Sequence, residues 1–247
     1  MSKKKNKVAL VTGSSKRIGA AIIRSLHQNQ VDVIIHHNNS KRDAAKLEKE
    51  LNQMRANSAS TIDADLLEIN NFKSFINKAI KIYGRLDFLI HNASTYYPTP
   101  LGSIKESQWH DLVGVNLKIP LFLSQAAAKE LEKNHGSIIN ISDANYENPK
   151  EGYSVYSLAK AGLVSLTKSL AQEMAPKVRV NSVAPGPIIW PNANKDFTAS
   201  YKTKVISQTL LKKIGAPEDI AKAVVYLLLH APYVTGQVLT VDGGRSV

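Results

Sequence analysis

The stretch from Asp143 to Lys160 holds three ionisable side chains at spacings suited to proton transfer. Tyr156 and Lys160 are four residues apart, and Asp143 precedes Tyr156 by thirteen residues. Apolar residues recur at helical spacing from Tyr153 onward, which predicts a helix with the phenol and the ammonium on one face. A cation beside a phenol favours the phenolate, so we expect the pKa of Tyr156 to fall from about 10 toward working pH.

Asp143 follows an apolar run, residues 137–142, that predicts a strand. The end of a strand and the start of the next helix can converge on one crevice, so all three side chains could meet there. Ser142 should not substitute for Asp143, because adjacent strand residues point to opposite faces. A tyrosine and a lysine at this spacing can also be an ordinary exposed helix pair, so the rest of the chain has to supply a cofactor site.

A glycine-containing turn near the N-terminus is the first element of such a site. Residues 7–12 predict a strand, residues 13–19 (G-S-S-K-R-I-G) a turn, and residues 20–26 a helix. Backbone N–H groups at a helix start attract a pyrophosphate, and we expect Gly13 and Gly19 to permit its close approach. Alone, the turn could equally be a plain strand–helix connection.

The second predicted strand, residues 31–36, bears on the choice of cofactor. A site for NAD carries an acid about 20 residues past the glycines, whereas here the segment from His36 to Arg42 reads H-H-N-N-S-K-R. Its two cations, its hydrogen-bond donors and Lys16 suit a 2′-phosphate, so NADPH is the predicted cofactor. We interpret the two histidines as adenosine-side donors or packing residues, because no cluster at ligand spacing suggests a metal.

Alternating helices and strands then predict the fold. Helices are expected at residues 42–54 and 70–83, and strands at 58–64 and 86–91. This rhythm indicates a single α/β domain with a Rossmann-like, doubly wound parallel sheet. Asp65 and Leu66, after the third strand, would reach an adenine, and Asn92-Ala93-Ser94 would lie at the carboxyl edge of the sheet, where ligands collect.

The second half continues the pattern with one irregular segment. Residues 105–133 predict one long helix that Pro120 should kink or break, residues 178–184 a sixth strand, and residues 217–230 a helix. We expect residues 187–213 to contain a segment that covers the substrate, with a short helix inside it. The long helix and the helix from Tyr153 to Met174 are apolar over wide arcs, which suggests a subunit interface.

The composition limits the number of domains, the cellular compartment and the class of ligand. The 247 residues are 43% hydrophobic and include no cysteine, which suits one large domain in a reducing, cytoplasmic compartment. No apolar run is long enough for a membrane span or a signal peptide. We expect residues 1–6 to be a basic disordered tail and residues 7–247 to form the folded domain. The net charge of +12 comes from cations spread along the chain, which favours anionic small molecules over nucleic acid.

Taken together, the motifs resemble the short-chain dehydrogenase/reductase family over essentially the whole chain. They comprise T-G-x-x-x-x-x-G at 12–19, D-L at 65–66, N-A at 92–93, Asn116, Tyr156 with Lys160, P-G at 185–186 and V-T-G-Q-V-L-T-V-D-G-G at 234–244. The resemblance implies that Tyr156 is the general acid, that Lys160 holds the nicotinamide ribose, that Asn116 positions Lys160 through water, and that the enzyme is a homotetramer. His91 departs from the asparagine common in the family.

Within the family, the sequence is similar to one branch, the pteridine reductases. Arg17 replaces the middle glycine of the turn, Asp143 replaces the usual serine, and residues 92–101 (N-A-S-T-Y-Y-P-T-P-L) match the N-A-S-S-F-Y-P-T-P-L of that branch. The likeness implies that Arg17 contacts pterin and pyrophosphate, that Ser94 helps hold the pterin, and that Tyr96 stacks on it. The cofactor-contacting residues then predicted are Gly13, Ser15, Lys16, Arg17, Ile18, Gly19, His37, Asn38, Asn39, Ser40, Asp65, Leu66, Asn92, Ala93, Ser94, Tyr156, Lys160, Pro185, Gly186 and Ile188.

The aspartate also has a physical meaning of its own. A carboxylate would repel the negative charge that builds on a carbonyl oxygen during reduction, but it stabilises a cationic iminium or relays a proton to nitrogen. The predicted function is therefore NADPH-dependent reduction of a pterin or folate ring, with Asp143, Tyr156, Lys160 and Asn116 as the catalytic set. The alternatives are a reductase of another C=N or carbonyl compound and a non-enzymatic dinucleotide-binding subunit.

Overall fold

The computed structural model describes residues 6–190 and 198–247. Within these ranges seven strands form one sheet in the order β3-β2-β1-β4-β5-β6-β7, and every neighbouring pair is parallel. The strands are β1 Val8–Val11, β2 Asp32–His37, β3 Ala59–Asp63, β4 Phe88–His91, β5 Ser137–Ile141, β6 Arg179–Pro185 and β7 Val238–Val241.

Helices cover both faces of this sheet, which is why the central strands are apolar on both sides. Every residue of β1, β4 and β5 is buried, as expected of a parallel sheet between two helical layers. One layer consists of α1, α2 and α8, and the other of α3, α5 and α6. The helices are α1 Arg17–Gln28, α2 Lys41–Met54, α3 Phe72–Tyr83, α4 Glu106–Val113, α5 Ile119–Lys133, α6 Ser154–Met174, α7 Ala199–Ser207 and α8 Pro217–Val225.

The strand order opens a crevice at one edge of the sheet. β1 pairs with β2 on one side and with β4 on the other, because the chain moves outward to β3 and then returns past β1. Loops leaving β1 and β4 at their carboxyl ends therefore diverge, and ligands of doubly wound sheets bind in the crevice left between them.

The predicted fold class and its six strands are confirmed, each strand within two residues of its expected ends. The sequence analysis did not assign β7, a short strand inside the closing motif. The helix predicted over residues 105–133 consists of α4, a π-helical turn Gly114–Lys118 and α5. The expected irregularity thus lies just before Pro120, which stands in the first turn of α5 directly after the π-helical turn.

One predicted helix differs in its second half, and two predicted segments lie wholly or partly outside the described residues. The helix predicted over residues 217–230 is α-helical only to Val225 and ends in a π-helical turn, Tyr226–His230. Most of the basic tail, residues 1–5, and residues 191–197 of the substrate-covering segment lie outside the described residues. In the two described ranges, none of the helices has the length and apolarity needed to cross a membrane.

Candidate active site

A cleft of about 840 Å³ lies at the carboxyl ends of the strands. It runs from the turn after β1, past the end of β2, to the turn after β6. All the residues predicted to touch cofactor or substrate line it, including Arg17, Ser94, Tyr96 and Asp143. Asn116 does not line it. Its side chain lies behind Ser94, whose hydroxyl donates to Asn116 Oδ1 at 2.6 Å.

The structure places Asp143, Tyr156 and Lys160 together in this cleft. The Tyr156 hydroxyl donates to Asp143 Oδ2 at 2.8 Å, and Lys160 Nζ donates to the carbonyl oxygen of Ile141 at 2.9 Å. Tyr156 and Lys160 are both buried, one turn apart on α6, while Asp143 follows β5. The strand end and the first turns of the next helix thus converge as the topology requires.

The predicted direction of the Tyr156 pKa was wrong. Burial, followed by the charge and hydrogen bond of Asp143, raises the pKa of Tyr156 well above its ordinary value. Lys160 does not reverse this, because its ammonium lies 5.7 Å from the centre of the tyrosine ring and donates to Ile141. Burial lowers the pKa of Lys160 to about 8, against the attraction of Asp143. Tyr156 therefore keeps its proton at neutral pH.

Asn145 is a residue of this site that the sequence analysis missed. Its backbone N–H and its side-chain amide both donate to Asp143 Oδ1, at 2.8 and 2.9 Å. The carboxylate consequently accepts two bonds on one oxygen and the Tyr156 hydroxyl on the other. The signal was present as D-x-N, because Asp side chains commonly accept from the N–H two residues later.

Ser142 contributes to the cleft lining, but its hydroxyl is bonded to the neighbouring strand and not to Tyr156, in line with the strand alternation. Its hydroxyl pairs with the hydroxyl of Ser182 at 2.7 Å and with the carbonyl of Val183, both in β6. It is buried, so it offers no hydroxyl that could replace Asp143 beside Tyr156.

The glycine turn is built for packing against its own protein as well as for a ligand. Gly13 has φ +59° and, if it carried a Cβ, would meet Ala93 Cα at 2.9 Å. A Cβ on Gly19 would meet the Asn92 amide at 2.6 Å. The sequence analysis expected Gly13 and Gly19 to be required for the close approach of a pyrophosphate. The structure gives a second requirement, which is packing within the protein. The two glycines let the turn lie against the end of β4.

Two side chains, Asn92 and the buried His36, hold the backbone of this turn. The Asn92 amide donates to the carbonyl oxygens of Thr12 and Gly13, both at 2.9 Å. Gly13 N–H donates to His36 Nδ1 at 2.9 Å, and His36 Nε2 lies 3.1 Å from the carbonyl of Ala64. One ring nitrogen thus accepts while the other donates, which holds His36 neutral; burial lowers its pKa to about 4. His36 is a packing residue, one of the two roles expected of it.

The residues of the turn fit a dinucleotide phosphate. No side chain caps the first turn of α1, and the residues from Ser15 to Gly19 line the cleft, so N–H groups of a helix start are available to an anion there. Lys16 lines the same cleft and pairs with Asp43 at 2.9 Å. Lys41 and Arg42, the other two cations expected near a 2′-phosphate, are exposed at the start of α2 and do not line the cleft.

Tyr96 has a neighbour that the sequence did not indicate. Its ring stacks on Tyr153 with centroids 4.7 Å apart and 18° between the planes, and it meets Tyr156 edge-on at 4.7 Å. Lys150 lies over the Tyr153 ring at 4.3 Å. Tyr96 is therefore an aromatic ring supported on one face by Tyr153 and next to Tyr156, with 40% of its surface still exposed.

Arg17 begins α1 in an uncommon backbone conformation. Its φ is +53°, a region that glycine adopts readily and other residues rarely do. Its guanidinium lies 3.5 Å from the carbonyl oxygen of Ile189 and lines the cleft. As for metals, the described ranges contain no group of three or more His, Cys, Asp or Glu residues that could hold an ion.

The sequence matches a known protein family over almost its whole length. Residues 13–246 match the family model described as enoyl-(acyl carrier protein) reductase. The chain belongs to the short-chain dehydrogenase/reductase family. It is an oxidoreductase, and reductases of this family use a nicotinamide cofactor.

Relatives within the family carry different names at similar identity. The chain is 34% identical to pteridine reductase 1 of Leishmania tarentolae, across 97% of this chain and 96% of the relative. It is 35% identical to the granaticin polyketide synthase putative ketoacyl reductase 2 of Streptomyces violaceoruber, across 97% and 96%. The 3-oxoacyl-[acyl-carrier-protein] reductase FabG of Staphylococcus aureus is 32% identical, across 98% of both chains. Membership of the short-chain reductases is thus shown, while overall identity does not select a substrate.

Proposed function

We propose that this short-chain reductase uses NADPH to reduce a C=N bond in a pterin ring, as in a dihydropterin or dihydrofolate. The observation that carries the proposal is the 2.8 Å hydrogen bond between Tyr156 and Asp143. A carboxylate at that place is poorly suited to a developing oxyanion but well suited to an acceptor whose nitrogen gains a proton.

In the proposed mechanism the protein manages the proton. Tyr156 is protonated at neutral pH, so its hydroxyl is the donor to the ring nitrogen. The Lys160 ammonium stabilises the phenolate left behind. Asp143, which lines the cleft, then takes up a proton from solvent and passes it to the Tyr156 phenolate along their hydrogen bond, which restores both groups. Asn145 holds the other carboxylate oxygen, so that Oδ2 remains directed at the hydroxyl.

The cofactor would be held by the turn after β1, by the ends of β2, β3 and β4, and by the turn after β6. When bound, it supplies the hydride that reduces the ring carbon. We propose NADPH because Lys16 is a cleft cation next to the end of β2, where a 2′-phosphate is recognised in this type of sheet.

The substrate would lie between the nicotinamide and Tyr96. Stacking of the substrate on the exposed part of the Tyr96 ring would contribute about 0.5 to 1.5 kcal/mol beyond area burial. The stack with Tyr153 holds the Tyr96 ring in position. Arg17 and Ser94 line the same part of the cleft. We further propose a cytoplasmic homotetramer, supported by the partly exposed side chains of Leu121, Phe122 and Leu158 on α5 and α6.

A second candidate is reduction of a carbonyl substrate. It is favoured by the ketoacyl and 3-oxoacyl reductase names of relatives at 35% and 32% identity. It is disfavoured by Asp143, since no serine hydroxyl stands beside Tyr156 in place of the carboxylate.

A panel of substrates separates the two candidates. Oxidation of NADPH is followed with dihydrobiopterin, dihydrofolate, a 3-oxoacyl thioester and simple ketones, and NADH is tested in parallel. The proposal expects turnover with at least one pterin and a preference for NADPH that Lys16→Ala reduces. Turnover confined to carbonyl compounds would refute it.

A further inference from the structure

The loop that follows β7 is fixed in place by a buried aspartate. Asp242 Oδ1 accepts the N–H of Gly244 at 2.9 Å, and Oδ2 accepts the N–H of Ser246 at 2.7 Å. Although burial opposes ionisation, the hydrogen bonds from Ser246 and the neighbouring backbone lower the pKa of Asp242. The loop also joins the chain after α7, because Leu211 N–H donates to Gly243 O at 3.1 Å. Arg245 therefore projects from a preorganised turn near the end of the chain.

This turn lies beside α7. Arg245 lines the cleft and donates to Gln208, the residue that follows α7, and a Cβ on Gly186 would meet Asp242 Cα at 2.5 Å, so the loop also packs on the turn after β6. Tyr201 of α7 lies near the ring proposed to stack on the substrate, because Lys150 is over both the Tyr201 ring and the Tyr153 ring that stacks on Tyr96. Lys16, the proposed partner of the 2′-phosphate, belongs to the turn after β1 and pairs with Asp43 of α2. Arg245 is therefore placed to meet the substrate and not the adenosine part of the cofactor.

The charge of Arg245 is not balanced by the surrounding described residues. Its guanidinium donates to the neutral Gln208 Oε1 at 3.3 Å. In residues 6–190 and 198–247 none of the ion pairs involves Arg245. A guanidinium has five N–H donors in a planar fork that matches a carboxylate, so a half-buried arginine with one neutral partner can still bind an anion.

Aromatic side chains accompany this cation. Trp190 and Tyr201 meet edge to face with centroids 6.4 Å apart, and both line the cleft with Tyr96. Flat rings around a cleft favour a planar ligand, and a guanidinium beyond them favours a carboxylate. These two preferences together describe a ligand with an aryl group followed by an acid.

We propose that Arg245 forms an anion subsite that recognises a carboxylate carried by the far end of the substrate, beyond an aryl group. The inference rests on the proposed pterin reductase activity and deepens it. It assigns the enzyme to conjugated pterins with an acidic tail, such as dihydrofolate, in preference to tailless dihydropterins. Arg245 is in this account a specificity-determining residue that takes no part in the chemical step.

Comparison of two substrates tests the subsite. The kcat and KM of wild type, Arg245→Gln and Arg245→Lys are measured with dihydrofolate and with dihydrobiopterin at saturating NADPH. Arg245→Gln should raise the KM for dihydrofolate about tenfold, the size expected for one charge-assisted hydrogen bond, and leave the KM for dihydrobiopterin within about twofold. Arg245→Lys should fall between them, because it keeps the charge and loses the fork.

The matched control is Lys204→Gln, an exposed cation of α7 that does not line the cleft. It should leave both KM values unchanged, which separates a specific contact from general attraction of anions. Equal changes for both substrates in Arg245→Gln, no change for either, or a change mainly in the KM for NADPH would each overturn the inference. A wild-type enzyme that reduces neither pterin would refute the proposed function, and this inference with it.

Discussion

At the scale of single residues, the proposed function rests on the carboxylate of Asp143. Its two oxygens are held by different partners, Asn145 on one and Tyr156 on the other. The same carboxylate raises the pKa of Tyr156 and, by its charge, partly offsets the effect of burial on Lys160. One carboxylate thus acts on the protonation of both neighbouring groups.

Asn145→Ala removes one of the two donors to Asp143 Oδ1 and leaves the backbone donor. That side-chain amide helps to keep Oδ2 directed at the Tyr156 hydroxyl, so kcat/KM with a dihydropterin should fall about tenfold, the size expected for one hydrogen bond to a charged group. The measurement is steady-state kinetics at saturating NADPH. Asn148→Ala, at an exposed position of the same loop, is the control and should keep the wild-type kcat/KM. An unchanged kcat/KM in Asn145→Ala would show that Asn145 does not orient Asp143.

Lys160→Met should stabilise the fold while abolishing turnover. The pKa of Lys160 is about 8 in the folded protein, against 10.5 as its reference, so burying the charged form costs about 3 kcal/mol at pH 7. Below pH 8 both folded and unfolded states bind the proton, and the cost is present in full. Between pH 8 and 10.5 only the unfolded state binds it, so wild-type stability rises with pH and the gap to the variant closes.

Urea unfolding at pH 7 and at pH 9.5 measures this gap. Lys168→Met, an exposed substitution on the same helix, should show no comparable gain. A Lys160→Met variant less stable than wild type at pH 7 would contradict the account, because it would mean that the bond to Ile141 outweighs the cost of burial.

At the scale of elements, the turn between β1 and α1 is held by packing and lies where the proposed cofactor would bind. Its glycines lie against Ala93 and Asn92, and His36 and Asn92 hold its backbone. Arg17 is the exception, since it takes a glycine-like backbone conformation and carries a long cationic side chain. A residue that keeps backbone strain at a cleft suggests that its side chain has a role there.

Arg17→Gly should therefore stabilise the protein by about 1 kcal/mol and reduce pterin turnover. Gln30→Gly is a matched control, because Gln30 also has a positive φ, +61°, but is exposed and distant from the cleft. Thermal unfolding and steady-state kinetics are measured on both variants. We expect both variants to gain stability and only Arg17→Gly to lose pterin turnover. Unchanged pterin turnover in Arg17→Gly would show that Arg17 has no role in the site.

The sequence predicted most of the secondary structure but not the contacts between side chains. Apolar runs and turn residues are local signals, so six strands and the crevice they form could be predicted. β7 was missed because V-L-T-V is short and, unlike the central strands, is only partly buried, so it lacks a longer apolar run. The stack of Tyr153 on Tyr96 and the direction of the Tyr156 pKa depend on side-chain orientation and burial, which spacing along a chain does not determine.

At the scale of the whole molecule, the core contains neutral histidines. His91 is buried, with Nε2 against the Ser124 hydroxyl and Nδ1 without a partner. Burial lowers its pKa to about 3, and that of His36 to about 4. As the pH falls below 6.5, these histidines are protonated in the unfolded state but stay neutral in the folded state, so the free energy of unfolding decreases with falling pH.

His91→Asn should reduce this loss by about 1.4 kcal/mol per pH unit between pH 6 and pH 4.5. The free energy of unfolding is measured in urea at several pH values across that window. His110→Asn, at an exposed position on α4, should retain the wild-type dependence. Parallel curves for wild type and His91→Asn would contradict the burial of a neutral ring at position 91.

The central claim, that Asp143 directs this reductase to a C=N acceptor, is tested most directly by Asp143→Ser. Turnover of a dihydropterin and of a simple ketone is measured for wild type and variant, together with NADPH affinity by fluorescence. The account predicts at least a roughly tenfold fall in pterin kcat/KM, unchanged NADPH affinity and a rise in ketone turnover. Unchanged pterin kinetics in the variant would contradict it.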